Sequence, residues 1–176
     1  MNHQNHLDLL RNGVPTLGGI WADLGSGTGA FTLALAELIG PTGEIYSVDK
    51  DRGALQEQAK TMQRLFPENT LYYLKADFTE TLELPLLDGI VMANSLHFVN
   101  DRHKGAVLQQ IKAYMKPDGR ILVVEYNTDS GNTWVPHPFA YPTWVKMAKQ
   151  MGLENTRLLA TYPSRFLHEI YAAASW

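Results

Sequence analysis

The chain contains no cysteine. Disulfide bridges, cysteine-held zinc and a cysteine nucleophile are therefore excluded. It also lacks any apolar run approaching the roughly 20 residues that span a bilayer. The opening stretch Met1-Asn2-His3-Gln4-Asn5-His6 is polar and carries no signal-peptide core. These features predict a cytoplasmic protein without a membrane span. Basic clusters are missing too. The net charge is −3 over 176 residues, and no Lys/Arg stripe offers a footprint for a phosphate backbone. That disfavours a nucleic-acid partner. There is no repeat, low-complexity tract or linker, so residues 1–176 are expected to form one domain with a substantial core.

What is present is an alternation of strand-like and helix-like segments. Short apolar runs at 20–24, 44–49, 71–75, 88–94 and 120–126 read as strands. Between them, 30–39 reads as a helix stopped by Gly40-Pro41, and 51–66 as a helix ending at Pro67. The segments 101–115, with Asp101 as its N-cap, and 141–151 are the next helices, and Lys116-Pro117-Asp118-Gly119 is a turn. Two closing strands, about 153–162 and 169–174, have no helix between them and predict an antiparallel hairpin. The alternation predicts an α/β fold, a doubly wound, mostly parallel sheet with helices on both faces. Ligands of such sheets sit beyond the carboxyl ends of the strands, near the switch point after the first one.

That point is occupied by Asp23-Leu24-Gly25-Ser26-Gly27-Thr28-Gly29-Ala30. Glycines let a tight turn bring bare backbone to a ligand, and the next helix aims free N–H groups at it. The pattern also fits the dinucleotide fingerprint G-x-G-x-x-G/A. Asp23 separates the two readings. A carboxylate at the mouth of the turn repels a pyrophosphate but suits a ligand with an ammonium and a sulfonium, such as S-adenosylmethionine. The alternative is that Asp23 only caps the turn.

Four stations together resemble the class I S-adenosylmethionine-dependent methyltransferases: Asp23–Gly29, Tyr46-Ser47-Val48-Asp49, Lys75-Ala76-Asp77-Phe78 and Met115–Val124. Asp118 stands where the last station usually has a glycine. The resemblance covers roughly residues 17–126 and implies a Rossmann-like sheet of seven strands with the last antiparallel. It implies that Asp23, Gly25, Ser26, Gly27, Thr28 and Gly29 hold the cofactor. Asp49 would accept from the ribose hydroxyls, with Lys50 beside it. Asp77 would accept from the adenine amine, with Phe78 against the ring. Each aspartate has a plainer alternative as a cap of the following turn or helix.

Asn94-Ser95-Leu96-His97-Phe98 follows the fourth strand, where this family meets its substrate. The missing prolines argue against base N-methylation. The Asn-x-Leu-His form is similar to small-molecule enzymes of the ubiquinone and menaquinone type. Asn94 and Ser95 are also expected at the cofactor, and Asn94 and His97 are the catalytic candidates, His97 as general base, with packing beneath the cofactor as the alternative. Trp134, His137 and Tyr141, in the proline-rich segment 127–142, and Arg165, in the final hairpin, are the candidate substrate contacts. Prolines and aromatics after the fifth strand suggest a lid over the site, or a cluster that only seals the sheet end. Glu125, Asn127 and Asn94 are too poor in carboxylates to predict a metal site, and none is expected. Cysteine-dependent arsenic methylation is excluded.

The leading reading is thus methyl transfer to O, N or C of a small molecule. A non-catalytic S-adenosylmethionine-binding partner subunit and a nicotinamide-dependent oxidoreductase are the alternatives. A homodimer suits an open sheet of this kind. The N-terminal segment reads either as a helix closing the cofactor site or as a frayed end.

Overall fold

A computed structural model describes residues 1–176. Seven strands form one sheet in the order β3-β2-β1-β4-β5-β7-β6. They are β1 (Ile20–Leu24), β2 (Glu44–Asp49), β3 (Thr70–Lys75), β4 (Leu87–Ala93), β5 (Met115–Tyr126), β6 (Thr156–Ser164) and β7 (His168–Ser175). The first five are parallel. β7 runs antiparallel to both β5 and β6. The strand order reverses at β1, so the β1–β4 border is the switch point where a ligand crevice opens.

Five helices cover the sheet: α1 (His3–Leu10), α2 (Ala30–Ile39), α3 (Arg52–Leu65), α4 (Asp101–Lys112) and α5 (Tyr141–Gln150). Period-two burial divides the core between the faces. Ala22, Ile90, Met92, Ile121 and Val123 pack with Leu108 and Ile111 of α4 and Trp144 of α5. Trp21, Val91, Leu122 and Val124 pack with α1 and α2 on the opposite face. No helix separates β3 from β4. Leu82 and Leu84 of that segment fill the space against the first core.

Local chemistry sets the helix ends. Gly29 and Gly40 bracket α2 at positive φ. Asp51 caps α3, its carboxylate accepting from Gly53 N at 2.7 Å. Asn100, rather than Asp101, caps α4 by accepting from Arg102 N at 3.1 Å. The Lys116–Gly119 turn is an excursion within β5. Leu87 pairs with Met115 and Gly89 with Arg120, so the intervening residues are looped out of register. The N-terminal segment is a docked helix. Leu7, Leu9 and Leu10 are buried, and Asn2 forms a reciprocal capping box with Asn5. No helix is long and apolar enough to cross a membrane.

Candidate active site

The loop from β1 to α2 lies flat against the ends of its neighbours. Gly25 N and Ser26 N both donate to Val48 O of β2, at 2.8 and 3.1 Å. Gly25, Gly27 and Gly29 all adopt positive φ, a backbone that side chains disfavour. Beneath the loop is a small polar network. The Ser47 hydroxyl donates to Gln58 Oε1 at 2.9 Å and lies 2.7 Å from Ser26 Oγ. Gln58 is fully buried on α3, and a Cβ on Gly29 would stand 2.4 Å from its Cγ. Nothing in the sequence marked Gln58, because its role comes from the helix packing behind the loop.

Two cavities flank this loop and share Gly25 and Asn94. The first, about 230 Å³, is lined by Asp49, Lys50, Ala76, Asp77, Phe78, Ser95 and Phe98 as well. Asp49 closes the turn, accepting from Gly27 N at 2.7 Å through Oδ2 and from Asp51 N at 2.8 Å through Oδ1. Asp77 is held through Oδ1 by Thr79, whose backbone and hydroxyl donate at 3.0 and 2.7 Å. Those bonds, chiefly the backbone one, hold its carboxyl below the ordinary range. Both aspartates are therefore turn caps and cavity walls at once.

The second cavity, about 290 Å³, runs past Asp23, Ser26, Gly27, Thr28 and Phe31 to His6 of α1. Asp23 is 1% exposed. Its Oδ2 accepts from the Thr32 hydroxyl at 2.6 Å. Burial pushes its carboxyl up to about 7, Thr32 opposes the rise, and the charge of Asp49 adds to it. Burial, followed by nearby positive charge, pushes the His6 imidazole down. The His6 ring lies tilted against Phe31, 4.6 Å between centres, so α1 is a wall of the site.

Asn94 stands where these cavities meet. It is one of only two non-glycine residues at positive φ, at 51°, a region Asn tolerates better than most. Its Oδ1 and the Ser95 hydroxyl are buried without a hydrogen-bond partner. Orphaned polar atoms at a cavity wall are a sign of an absent ligand.

His97 lies one layer deeper. It is 3% exposed, and its Nδ1 is 2.9 Å from both carboxylate oxygens of the buried Glu125. A carboxylate can only accept, so Nδ1–H is the donor of this pair. His97 lines none of these cavities. It contacts Phe98 at 4.3 Å and Tyr126 at 6.0 Å between ring centres. Glu125 also accepts from Tyr126 N, while the Asn127 side chain binds Glu169 and Tyr141 N. Glu125 and Asn127 are thus engaged in packing rather than converging with Asn94.

Of the four candidate substrate residues, only Arg165 reaches a cavity adjoining the site. The 127–142 segment is strapped over the start of α4. His137 N donates to His97 O at 3.0 Å, its ring lies 3.4 Å from Asp101, and Lys104 Nζ donates to its carbonyl. Tyr141 packs edge-on against Tyr171. Trp134 is 78% exposed. Trp134→Ala is accordingly expected to change kcat/KM by less than about twofold and to leave the thermal midpoint nearly unmoved, as for a surface substitution. A tenfold loss in steady-state assays would place this segment over the acceptor instead.

A family model described as "Methyltransferase domain" matches residues 19–162. The chain belongs to the methyltransferase domain family. It is 31% identical over 107 residues to a ubiquinone/menaquinone biosynthesis C-methyltransferase of Pasteurella multocida, covering 60% of this chain and 39% of that one. It is 30% identical over 129 residues to the enzyme of the same description from Burkholderia mallei, covering 72% and 49%. This methyltransferase domain therefore spans about half or less of the length of the curated relatives it matches. Among solved structures it resembles the 1,6-didemethyltoxoflavin-N1-methyltransferase of Burkholderia thailandensis with bound S-adenosylhomocysteine. That likeness has a TM-score of 0.75 at 18% identity, over 99% of this chain and 77% of that one. Magnesium protoporphyrin IX methyltransferase from Synechocystis with bound SAM gives a TM-score of 0.73 at 15% identity, over 99% and 79%. At such identities the likeness speaks for the fold, and it agrees with the methyltransferase sheet order described above.

Proposed function

We propose that the chain is an S-adenosylmethionine-dependent methyltransferase that acts on a small-molecule acceptor. The charge pattern of the cleft carries this reading. Asp49 and Asp77 line one cavity and buried Asp23 the other, with Gly25 and Asn94 between. Lys50 is the one Lys or Arg side chain along both, with Met1 and His6 bordering the second. A pyrophosphate would face carboxylates at either end, whereas a ligand with an adenosine at one end and a cation at the other is complementary to them. The residues fit such a group in three further respects. The Asn94 and Ser95 oxygens lack partners. A Cβ at Gly27 would meet nothing within 4 Å, so that part of the cradle is open. Phe78 and Phe98 supply apolar walls beside Asp77.

S-adenosylmethionine, when bound, supplies a methyl group already activated on a sulfonium. The chain then has to bind, orient and exclude water. Asp49 and Asp77 would accept hydrogen bonds from hydroxyl and amine donors, and Asp23 would hold an ammonium. Asn94 would face the methyl acceptor. His97 would act through Phe98 and Tyr126, the two cavity-wall rings it packs against. Its Glu125 partner fixes the orientation of the ring.

Calorimetric titration with S-adenosylmethionine, S-adenosylhomocysteine and NADH tests the assignment. Micromolar binding of the first two without NADH binding is the expected result. NADH binding alone would revive an oxidoreductase. Binding of S-adenosylmethionine without methyl transfer to any acceptor in a broad panel would mark a non-catalytic subunit.

A further inference from the structure

A third cavity, the largest of those bordering the site at about 480 Å³, adjoins the cofactor cleft through Asn94. It opens between α1, the end of β5 and the β6–β7 hairpin. Its size suits a small organic molecule rather than a chain. Another cavity borders the cleft through Asp77, Phe78 and Phe98, but on the side away from Asp23. An acceptor there would be far from a cation held by Asp23. The third cavity is the one that meets the Asp23 end, since Asn94 and Met1 line both.

Its chemistry is opposite to that of the cofactor cleft. No Asp or Glu lines it, and the one fixed side-chain charge is that of Arg165. Arg165 forms none of the ion pairs in the structure. Beside the polar Asn5, Asn94 and Ser164, it presents flat or apolar walls at Tyr126, Tyr162, Phe166 and Ile170. Tyr162 is held by a hydrogen bond from the Asn5 side chain of α1, and Tyr126 rests against His97. Phe166 stands 70% exposed at the hairpin tip beside Arg165. Two fixed aromatic rings and a free guanidinium are the elements that recognise a planar anion.

Resting on the methyltransferase reading, we propose that this cavity is the acceptor site and that it takes a planar aromatic carboxylate. Arg165 pairs its carboxylate, Tyr126 and Tyr162 flank its ring, and Asn94 marks the end where the reacting atom sits. A nucleophilic oxygen or carbon of the acceptor bonds to the methyl carbon as the carbon–sulfur bond breaks. The electron pair of that bond stays on sulfur, and the acceptor's proton leaves to water. Asn94 then belongs to both halves of the site, which accounts for its unpaired oxygen and its unusual backbone.

The test uses 1-hydroxy-2-naphthoate and its neutral carboxamide as probes, titrated into the full chain saturated with S-adenosylhomocysteine. The carboxylate should bind at least about tenfold more tightly than the amide, as expected for a charge-assisted pair. Arg165→Ala should erase that preference, and Arg165→Lys should restore part of it. Affinity for S-adenosylhomocysteine should stay within about twofold in both variants, since Arg165 lines neither cofactor cavity. Equal binding of the two probes, no binding of the carboxylate in the millimolar range, or a preference that survives Arg165→Ala would each overturn the acceptor assignment. Failure of S-adenosylhomocysteine itself to bind wild-type protein would instead overturn the methyltransferase reading, and the acceptor assignment with it.

Discussion

Replacing Asp23 with Asn is expected to stabilise the ligand-free protein above pH 7 while weakening S-adenosylmethionine binding by about a hundredfold or more. The two effects have one cause. Asp23 is buried at the end of β1 with a single hydrogen-bond donor, the Thr32 hydroxyl. Its carboxyl is pushed from an ordinary 3.8 up to about 7, mainly by burial. The folded protein therefore holds a proton that the unfolded chain releases near pH 4. The associated stability is fully present below that pH and is lost as pH rises through about 7. For a displacement of this size the loss is roughly 4 kcal/mol, an upper bound, because water entering the cavity screens the charge. Asn keeps an acceptor for Thr32 and never ionises. Urea denaturation at about pH 8 should show the variant more stable by a few kcal/mol, and the gap should shrink as pH falls and close only near pH 4. Binding moves the other way. An ammonium needs the ionised carboxylate, so wild-type affinity should climb as pH rises through about 7 and then level, with proton release below that point. The variant should show neither the climb nor the release. A variant no more stable than wild type at pH 8 would mean that Asp23 is already compensated in the free protein.

The elements bounded by glycine and proline could be read to the residue. β1, β2 and α2 begin and end where their apolar runs meet Gly25, Gly29, Gly40 and Gly43. The misses fall where tertiary packing replaces a local signal. β6 starts at Thr156 rather than near Leu153, because Leu153 N still donates to Ala148 O and finishes the turn after α5. The 101–115 helix is shorter than its apolar spacing suggested, since Met115 already pairs with Leu87 of β4. The same distinction governs the site. Asp23, Asp49, Asp77, Asn94 and Ser95 sit at strand ends or just beyond them, so their place along the cavities could be read from their positions in the chain. Gln58, His6, Tyr126 and Tyr162 could not be found that way. Asn5 and Tyr162, for example, meet across 157 residues of sequence. Aromatic content drew attention to Trp134 and His137; Trp134 is exposed, and the buried Phe139 ties that segment to the core beside Lys104 of α4.

Gly25→Ala is expected to abolish cofactor binding and to destabilise the fold by roughly 2–4 kcal/mol, a combination of backbone strain and overpacking. Gly25 lies at φ 79°, and a Cβ there would stand 2.4 Å from Ser95 Cβ and 3.4 Å from the Phe78 ring. Ser95 cannot retreat, because it is 4% exposed and sits between the end of β4 and the helical turn Leu96–Phe98. The loop would have to lift from Val48, breaking the bond from Gly25 N to Val48 O. Gly27→Ala separates stability from binding. Its φ of 53° lies in the left-handed region, but its Cβ would meet nothing within 4 Å. That variant should fold with a penalty of about 1 kcal/mol and yet bind S-adenosylhomocysteine at least about tenfold more weakly, because the methyl group projects into the cradle. Calorimetry and thermal melts on both variants, and on Gly25→Ala combined with Ser95→Gly, distinguish the two contributions. The double variant removes the 2.4 Å collision and leaves the backbone strain, so it should recover stability in part. If it recovered none, Ser95 would not be the obstacle. If Gly27→Ala bound the cofactor as wild type does, the open space beside Gly27 would not be part of the cofactor cradle.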